Sequence, residues 1–205
     1  MATDELPDDP RVLRLTTPLD EPTLRSLRTG DEVWLDGIVW GVRDASLIRL
    51  FDEGKRPDVD FTGAVFLHTA PSVKRLVDGR YAPVSVGTTT SMRMDRFTHG
   101  CVAELGVAAI VGKGGLSEAS LAELGEHAAV YLAITGGAAS AETLQVEEIE
   151  EVVWEDLMPE CLWKFRVKGL GPLFVTMDSH GHSTYRDVQQ TAARNLEAVY
   201  RRLGI

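Results

Sequence analysis

The chain has 205 residues, of which 44% are hydrophobic and 25% are charged, a balance typical of a soluble globular protein. Its formal net charge of −10 argues against broad binding to nucleic acid or to an anionic membrane, because both need a basic field. No stretch approaches the roughly 18 consecutive apolar residues of a membrane-spanning helix, so we expect no membrane segment.

The first ten residues are acidic and contain two prolines. They lack the basic start and the apolar stretch of a secretory signal. We therefore expect a short disordered tail over 1–10 and a single compact domain over 11–205, in a cytoplasmic protein.

The first third of the domain has the patterning of a β-rich segment. Asp36-Gly37 is a hairpin-turn dipeptide inside an alternating stretch, and Asp44 is placed to cap the helix that follows. The pattern predicts a strand over 11–17, a helix over 23–28, a hairpin over 32–42 and a helix over 45–53.

Strands and helices then alternate, and the chain ends in a second β-rich segment and a helix. This order predicts one α/β domain with mixed sheets. The expected strands cover 63–68, 107–111, 129–135, 151–155, 161–167 and 173–177, and the expected helices cover 97–106, 117–128 and 186–203.

Three loops of small residues each carry a cation. Arg43 stands at a strand-to-helix junction, where its planar fork can bind a carboxylate, although a surface ion pair with Asp44 is the simpler interpretation. Lys113, in Gly112-Lys113-Gly114-Gly115, follows a buried strand at the end where α/β folds place ligands; the alternative is a glycine turn with a solvated lysine. The pattern of a Walker A phosphate loop is absent.

The loop over 87–95 contains Thr88, Thr89, Thr90 and Ser91, followed by Arg93. One Ser or Thr is enough to cap a helix, so four consecutive hydroxyl residues fit an anion site as well as an over-supplied cap, and both interpretations stay open here. Taken together, the three loops predict a domain that binds a small polyanion.

His180 and His182 flank a glycine in a late turn, and His68 ends a strand, where it is positioned to face a cleft. A solvated turn is the preferred interpretation of the histidine pair, and a metal-ligand pair is the alternative. Cys101 and Cys161 are the only cysteines. Two distant thiols argue against a disulfide framework, a structural zinc site, and an iron–sulfur cluster held by this chain alone.

Six motifs in order, from about Leu15 to Tyr185, resemble the beta subunit or C-terminal domain of class I fumarases and L(+)-tartrate dehydratases. They are Thr17-Pro18-Leu19, Gly30-Asp31, Arg43 to Leu50, Gly87 to Asp95, Gly112-Lys113-Gly114 and Asp178 to His182. The resemblance implies a swivelling β/β/α domain and an iron–sulfur-dependent hydro-lyase acting on a small dicarboxylic acid. It also implies that a 4Fe–4S cluster is carried by a separate alpha subunit, with the active site at the interface; a homodimer is a further expected assembly.

The resemblance also implies roles for four residues. Arg43 and Arg93 match the arginines that grip the substrate carboxylates, and Lys113 matches a lysine that contacts the anionic end of the substrate. Thr89 matches a catalytic threonine that transfers a proton. Because a threonine hydroxyl is a very weak acid, Thr89 needs a partner, either a residue of the other subunit or Asp95. No residue of this chain is expected to bind a metal.

Three departures from the family pattern flank these residues: Leu47-Ile48, Ala70-Pro71 and Gly87-Thr88. They leave the substrate open among fumarate or malate, tartrate and mesaconate types. Two other functions stay open as well: a non-catalytic dicarboxylate-binding or regulatory domain, and a self-sufficient enzyme with a divalent metal on His180 and His182.

Overall fold

The computed structural model describes residues 9–137 and 139–204. Residues 1–8, most of the expected tail, lie outside the described residues. The described chain is a mixed α/β fold in one compact domain, as predicted, and none of its helices is long and apolar enough to cross a membrane.

A seven-stranded mixed sheet forms the centre of the fold, in the order β1-β2-β3-β6-β7-β9-β8. An additional pairing between β2 and β9 closes β2, β3, β6, β7 and β9 into a barrel. A separate hairpin consists of β4 and β5. The strands are β1 Val12–Thr16, β2 Glu32–Val42, β3 Val65–His68, β4 Ser72–Arg75, β5 Tyr81–Ser85, β6 Ala109–Gly112, β7 Val130–Ala133, β8 Val146–Val153 and β9 Leu162–Met177.

The helical segments over 44–52, 91–104 and 118–126 lie outside the barrel, whereas Leu24 of the first helix packs into the cluster inside it. Two alternating sets of buried side chains explain this arrangement, because successive residues of a strand face opposite sides. On β3, Val65 and Leu67 pack into the cluster shared by all five barrel strands. Phe66 points the other way and packs into the second cluster, between the sheet and the helices. The helices are α1 Glu21–Ser26, α2 Asp44–Leu47, α3 Glu118–Glu126, α4 Ala139–Leu144 and α5 Thr184–Leu203.

The hairpin predicted at Asp36-Gly37 is wrong: this dipeptide lies inside the single strand β2. Gly37 has a φ of +102° inside β2, and the pairing of β2 with β9 shifts register next to it. Asp36 of β2 stands opposite two residues of β9, Lys168 and Gly169, so the bulge lies on β9. The hydroxyl of Thr17 lies against Gly37 and accepts from the Ile38 N–H at 2.7 Å. A Cβ at Gly37 would lie 2.6 Å from that hydroxyl, so the position requires glycine.

The helices predicted over 45–53 and 97–106 also differ from the structure. The first begins at Asp44, because Ser46 Oγ accepts the Arg43 N–H at 2.9 Å and replaces Asp44 as the capping group; after Leu47 it widens into a π-helical turn over Ile48–Asp52. The second region holds a 3₁₀ helix, Ser91–Phe97, and a π-helical turn, Gly100–Glu104.

The two late strands predicted over 161–167 and 173–177 are one 16-residue strand, β9. One edge of β9 pairs with β2 from Gly41↔Trp163 to Glu32↔Phe174. Its other edge pairs first with β8 and then with β7. The segment therefore continues as one strand because β2 provides a partner along most of it, with Gly169, at a φ of +59°, lying in the register shift.

Trp163 of β9 provides a test of the core. Its side chain is fully buried, is stacked on Phe165, meets the Tyr81 ring edge-on, and donates from Nε1 to the Pro159 carbonyl at 2.9 Å. Trp163→Ala should lower the free energy of unfolding by about 3–5 kcal/mol, through lost burial and the cavity left behind. Urea denaturation measures the change. The control Val77→Ala removes a fully exposed side chain and should change stability by less than about 0.5 kcal/mol; equal losses would contradict the assignment of Trp163 to the core.

Candidate functional site

The parallel strands β2, β3 and β6 end at the same edge of the barrel. Arg43 directly follows β2, His68 is the last residue of β3, and Lys113 directly follows β6. Both open α/β sheets and closed α/β barrels bind ligands at the carboxyl ends of their parallel strands, because the following loops converge there. The strand order thus brings together two of the predicted cations, which are 70 positions apart in the chain.

The loop over 87–91 crosses this edge and is held by its backbone. The Thr89 N–H donates to the His68 carbonyl at 2.8 Å, and the Ser91 N–H donates to the Lys113 carbonyl at 2.9 Å. Short bridges pair Thr88 with Thr69 and Thr90 with Lys113. The backbone hydrogen bonds therefore hold the predicted catalytic Thr89 between the ends of β3 and β6, and its side chain is partly exposed.

Asp44 links the two predicted arginines. Its Oδ2 lies 3.1 Å from Arg93 Nη2 and 3.4 Å from Arg43 Nε, and Glu160 Oε1 lies 3.4 Å from the same Nε. The Ala45 N–H anchors the other Glu160 oxygen at 2.9 Å. Among the described residues, Arg43 Nε has no hydrogen-bond partner, because these contacts are ion pairs without hydrogen-bond geometry. Arg43 Nε is therefore a buried donor that lies between two carboxylates of the chain and makes no hydrogen bond to either.

A buried polar cluster of His68, Ser91 and Tyr131 supports the loop from below. Ser91 Oγ lies 2.9 Å from His68 Nδ1 and accepts from the Tyr131 hydroxyl at 2.8 Å. A Cβ at Gly112 would overlap Ser91 Oγ, so the glycine before Lys113 makes room for the cluster.

Burial keeps this cluster uncharged. It lowers the pKa of His68 to about 4, although the nearby Asp44 carboxylate opposes the shift, and it raises the pKa of Tyr131 far above its usual value. His68 was expected to face a cleft; it is instead a buried, neutral hydrogen-bonding residue beneath the site.

Glu142 of α4 is a residue of this region that the sequence analysis missed. Its carboxylate accepts from the Thr88 N–H, next to Thr89, while the adjacent Thr143 Oγ1 accepts the Val86 N–H at 2.8 Å. The side chain is 2% exposed, and its Oε2 has no partner in the described part of the chain. In the sequence, the one indication of a role for Glu142 was that it is an acidic residue next to a run of small residues.

The charge of Lys113 lies close enough to Glu142 to favour its ionised form, but burial dominates and raises the pKa of Glu142 to about 7. The Lys113 side chain runs over Gly136, where an added Cβ would lie 3.4 Å from the lysine Cδ. Lys113 and Glu142 thus form a pair of opposite charges beside the Thr88–Thr89 backbone, and the net charge of this pair depends on pH near neutrality.

Asp95, one suggested proton partner of Thr89, is committed elsewhere. Its Oδ1 accepts from the Ser117 N–H at 2.8 Å and from Ser120 Oγ at 2.7 Å, and its Oδ2 accepts from Ser117 Oγ at 2.8 Å. These bonds fix the start of α3. They favour the other alternative, a partner group supplied from outside this chain.

His180 and His182 lie in a turn organised by Asp178. The buried Asp178 accepts the backbone N–H groups of both histidines, at 2.9 and 3.0 Å. The ring of His180 contacts the Arg25 carbonyl, and the ring of His182 contacts Asp178 Oδ2 at 3.2 Å. The arrangement supports the turn interpretation rather than a metal pair.

Comparison with known proteins gives consistent matches over most of the chain. The family model described as "Fumarase C-terminus" matches residues 2–188. The L(+)-tartrate dehydratase subunit beta of Escherichia coli (strain K12) is 38% identical over 187 residues, which are 90% of this chain and 92% of that protein. "Putative L(+)-tartrate dehydratase subunit beta" of Methanocaldococcus jannaschii is 32% identical over 186 residues, 88% of this chain and 95% of that protein.

A longer relative matches in part. "Putative fumarate hydratase class I" of Geobacillus stearothermophilus is 35% identical over 187 residues, which are 91% of this chain but 36% of that protein. This chain therefore corresponds to about one third of that relative.

Glu142 makes the stability of the protein depend on pH. Because the folded pKa of about 7 exceeds the ordinary value of 4.5, the folded state binds the proton more tightly, so this contribution is complete below pH 4.5 and is lost as pH rises through 7. The loss amounts to at most about 3.5 kcal/mol, since the two pKa values differ by about 2.5 and one pKa unit corresponds to about 1.4 kcal/mol. Glu142→Gln should remove this decline in urea denaturation between pH 5 and pH 8.

The matched control is Glu147→Gln, which changes an exposed carboxylate five positions away. It should leave the pH dependence of the wild-type protein in place. Parallel curves for wild type and Glu142→Gln would show that the carboxyl titrates at its ordinary value.

Proposed function

The chain belongs to the fumarase C-terminus family, and we propose that it is the beta subunit of an iron–sulfur-dependent hydro-lyase that adds or removes water at a small dicarboxylic acid. The observation that carries this proposal is the meeting of Arg43, Arg93, Lys113 and the Thr89 loop at one edge of the barrel. The substrate is of the fumarate or malate, tartrate, or mesaconate type.

The charges of this edge suit a substrate with two carboxylates. Although the chain has a net charge of −10, two guanidinium groups and one ammonium group converge locally. Each arginine can donate two parallel hydrogen bonds to one carboxylate, and the lysine adds a point charge. A dicarboxylate can displace Asp44 from Arg93, whose side chain is half exposed, without breaking the contact between Arg43 and Glu160.

The same groups suit the chemistry of dehydration. Removing a proton next to a carboxylate builds a doubly negative aci-carboxylate, which Arg43, Arg93 and Lys113 would stabilise in place of water. In this proposal Thr89 carries that proton, and its weak acidity requires a base from the partner subunit, because Asp95 is already bonded to Ser117 and Ser120.

The residues of this chain do not fit an iron–sulfur cluster. Cys101 and Cys161 are both buried, and burial raises the pKa values of their thiols to about 12 and about 11, so neither is a thiolate at neutral pH. In our proposal the 4Fe–4S cluster is therefore carried by an alpha subunit. Free thiols also agree with a cytoplasmic location.

Helix α5 is a candidate contact surface for a partner. From Asp187 onward none of its described residues is buried, and several large apolar side chains are exposed on it. Exposed apolar stripes of this kind mark interaction surfaces. We assign this stripe, formed by Val188, Leu196, Val199, Tyr200 and Leu203, to contact with the alpha subunit or with a second copy of the chain. The closed barrel is suited to move as one body against the alpha subunit, as in a swivelling β/β/α domain.

Anaerobic purification of the tagged chain from its native host tests the proposal. We expect a cysteine-containing partner, the broad visible absorbance of an iron–sulfur cluster, and activity in at least one of three assays: hydration of fumarate, hydration of mesaconate, or dehydration of tartrate. A colourless chain that purifies without a partner and still binds dicarboxylates would instead indicate the non-catalytic binding domain.

Arg93→Lys tests the substrate site within that complex. Lysine keeps the positive charge but cannot donate two parallel hydrogen bonds to one carboxylate. The value of kcat/KM for the diacid should therefore fall by at least about tenfold, corresponding to about 1.4 kcal/mol. The control Arg96→Lys lies in the same 3₁₀ helix but pairs with Asp52, and it should change kcat/KM by less than about threefold. Equal effects would remove Arg93 from the substrate site.

A further inference from the structure

A cluster of two histidines and a glutamate lies outside the candidate substrate site. His99 follows the 3₁₀ helix, and Glu123 and His127 stand one turn apart at the end of α3. We propose that these three residues bind one divalent transition-metal ion, with Zn²⁺ as the representative case. They are the one group of three or more His, Cys, Asp or Glu residues with suitably close ligand atoms among the described residues.

The distances suit a single ion. His99 Nδ1 lies 2.8 Å and His127 Nε2 lies 3.6 Å from the same oxygen, Glu123 Oε2, and the three ligand atoms lie within 4.8 Å of one another. Zn²⁺ binds His nitrogen and carboxylate oxygen at about 2.0–2.2 Å in tetrahedral geometry, which places neighbouring ligand atoms about 3.4 Å apart. Small side-chain rotations reach that spacing, and the His99 ring is exposed enough to make them.

The electrostatic surroundings favour a cation. His127 is the C-terminal cap of α3, where the helix dipole is negative. The carboxylates of Glu104 and Glu126 add negative potential at His99. Two imidazoles with one carboxylate select a borderline-soft ion such as Zn²⁺ over Mg²⁺ or Ca²⁺, which prefer oxygen ligands. The fourth position is left for water or an exogenous ligand.

The site is separate from the proposed substrate site. Helix α3 begins after the Gly112–Gly115 turn, at the carboxyl end of β6, and ends before β7 starts at Val130. Because β6 and β7 are parallel, the two ends of α3 lie at opposite edges of the barrel. The metal site therefore lies at the edge away from Lys113, and its occupancy does not depend on the alpha subunit, the cluster or the substrate.

Metal binding would tie α3 to the segment that follows the 3₁₀ helix. A ligand that binds only the folded state stabilises it according to its concentration relative to the dissociation constant. The expected result for the chain, freed of metal with EDTA and purified without a histidine tag, is one Zn²⁺ per chain in isothermal titration calorimetry. Added Zn²⁺ should also raise the melting temperature, and Mg²⁺ should not.

The variants His99→Gln and His127→Ala should each weaken Zn²⁺ binding by more than about tenfold, because each removes a direct ligand. The control His180→Ala removes a histidine of the Asp178 turn and should leave both affinity and stoichiometry unchanged. Circular dichroism and the melting temperature without metal verify that each variant is folded. Substoichiometric binding by the wild-type chain, or an equal loss in the His180 variant, would overturn the proposal.

Discussion

The pairing of β2 with β9 is the constraint on which the rest of the fold depends. Hydrogen bonds between these two long strands convert an open mixed sheet into a closed barrel. Closure satisfies both edges of the barrel strands and encloses one set of alternating side chains, so the apolar residues of the other set are covered by helices. It also fixes the carboxyl ends of β2, β3 and β6 at one edge, where short loops can place side chains with little freedom.

In the candidate site, charged side chains at the edge of the barrel lie over a buried cluster of uncharged polar side chains. Asp44 holds Arg43 and Arg93 near each other, and the neutral cluster of His68, Ser91 and Tyr131 holds the Thr89 loop from below. A neutral support suits this position, because a buried charge there would carry a large desolvation cost and would disturb the cations above it.

Much of the site was accessible from the sequence, because small residues around a cation are a local pattern. Arg43, Arg93 and Lys113 were selected from such loops, and the structure brings them to one edge. Glu142 was missed because α4 consists of few residues and has no apolar periodicity that predicts a helix. The hairpin at Asp36-Gly37 was wrongly predicted because a glycine with positive φ is suited both to a turn and to an irregular position inside a strand; only the Thr17 hydroxyl and the β9 partner decide between them.

By itself, the sequence determined the order of most strands and helices, the family, and the candidate cationic residues Arg43, Arg93 and Lys113, since these follow from local patterns and from motifs in register. The tertiary structure alone decided that β9 is one strand, that the sheet closes, that Asp95 bonds to the first turn of α3 and that Asp44 joins two arginines. It likewise decided that His99 approaches Glu123 and His127. The physical reason is that each of these features depends on a partner far away in the chain, and hydrophobic periodicity carries no information about which distant groups meet.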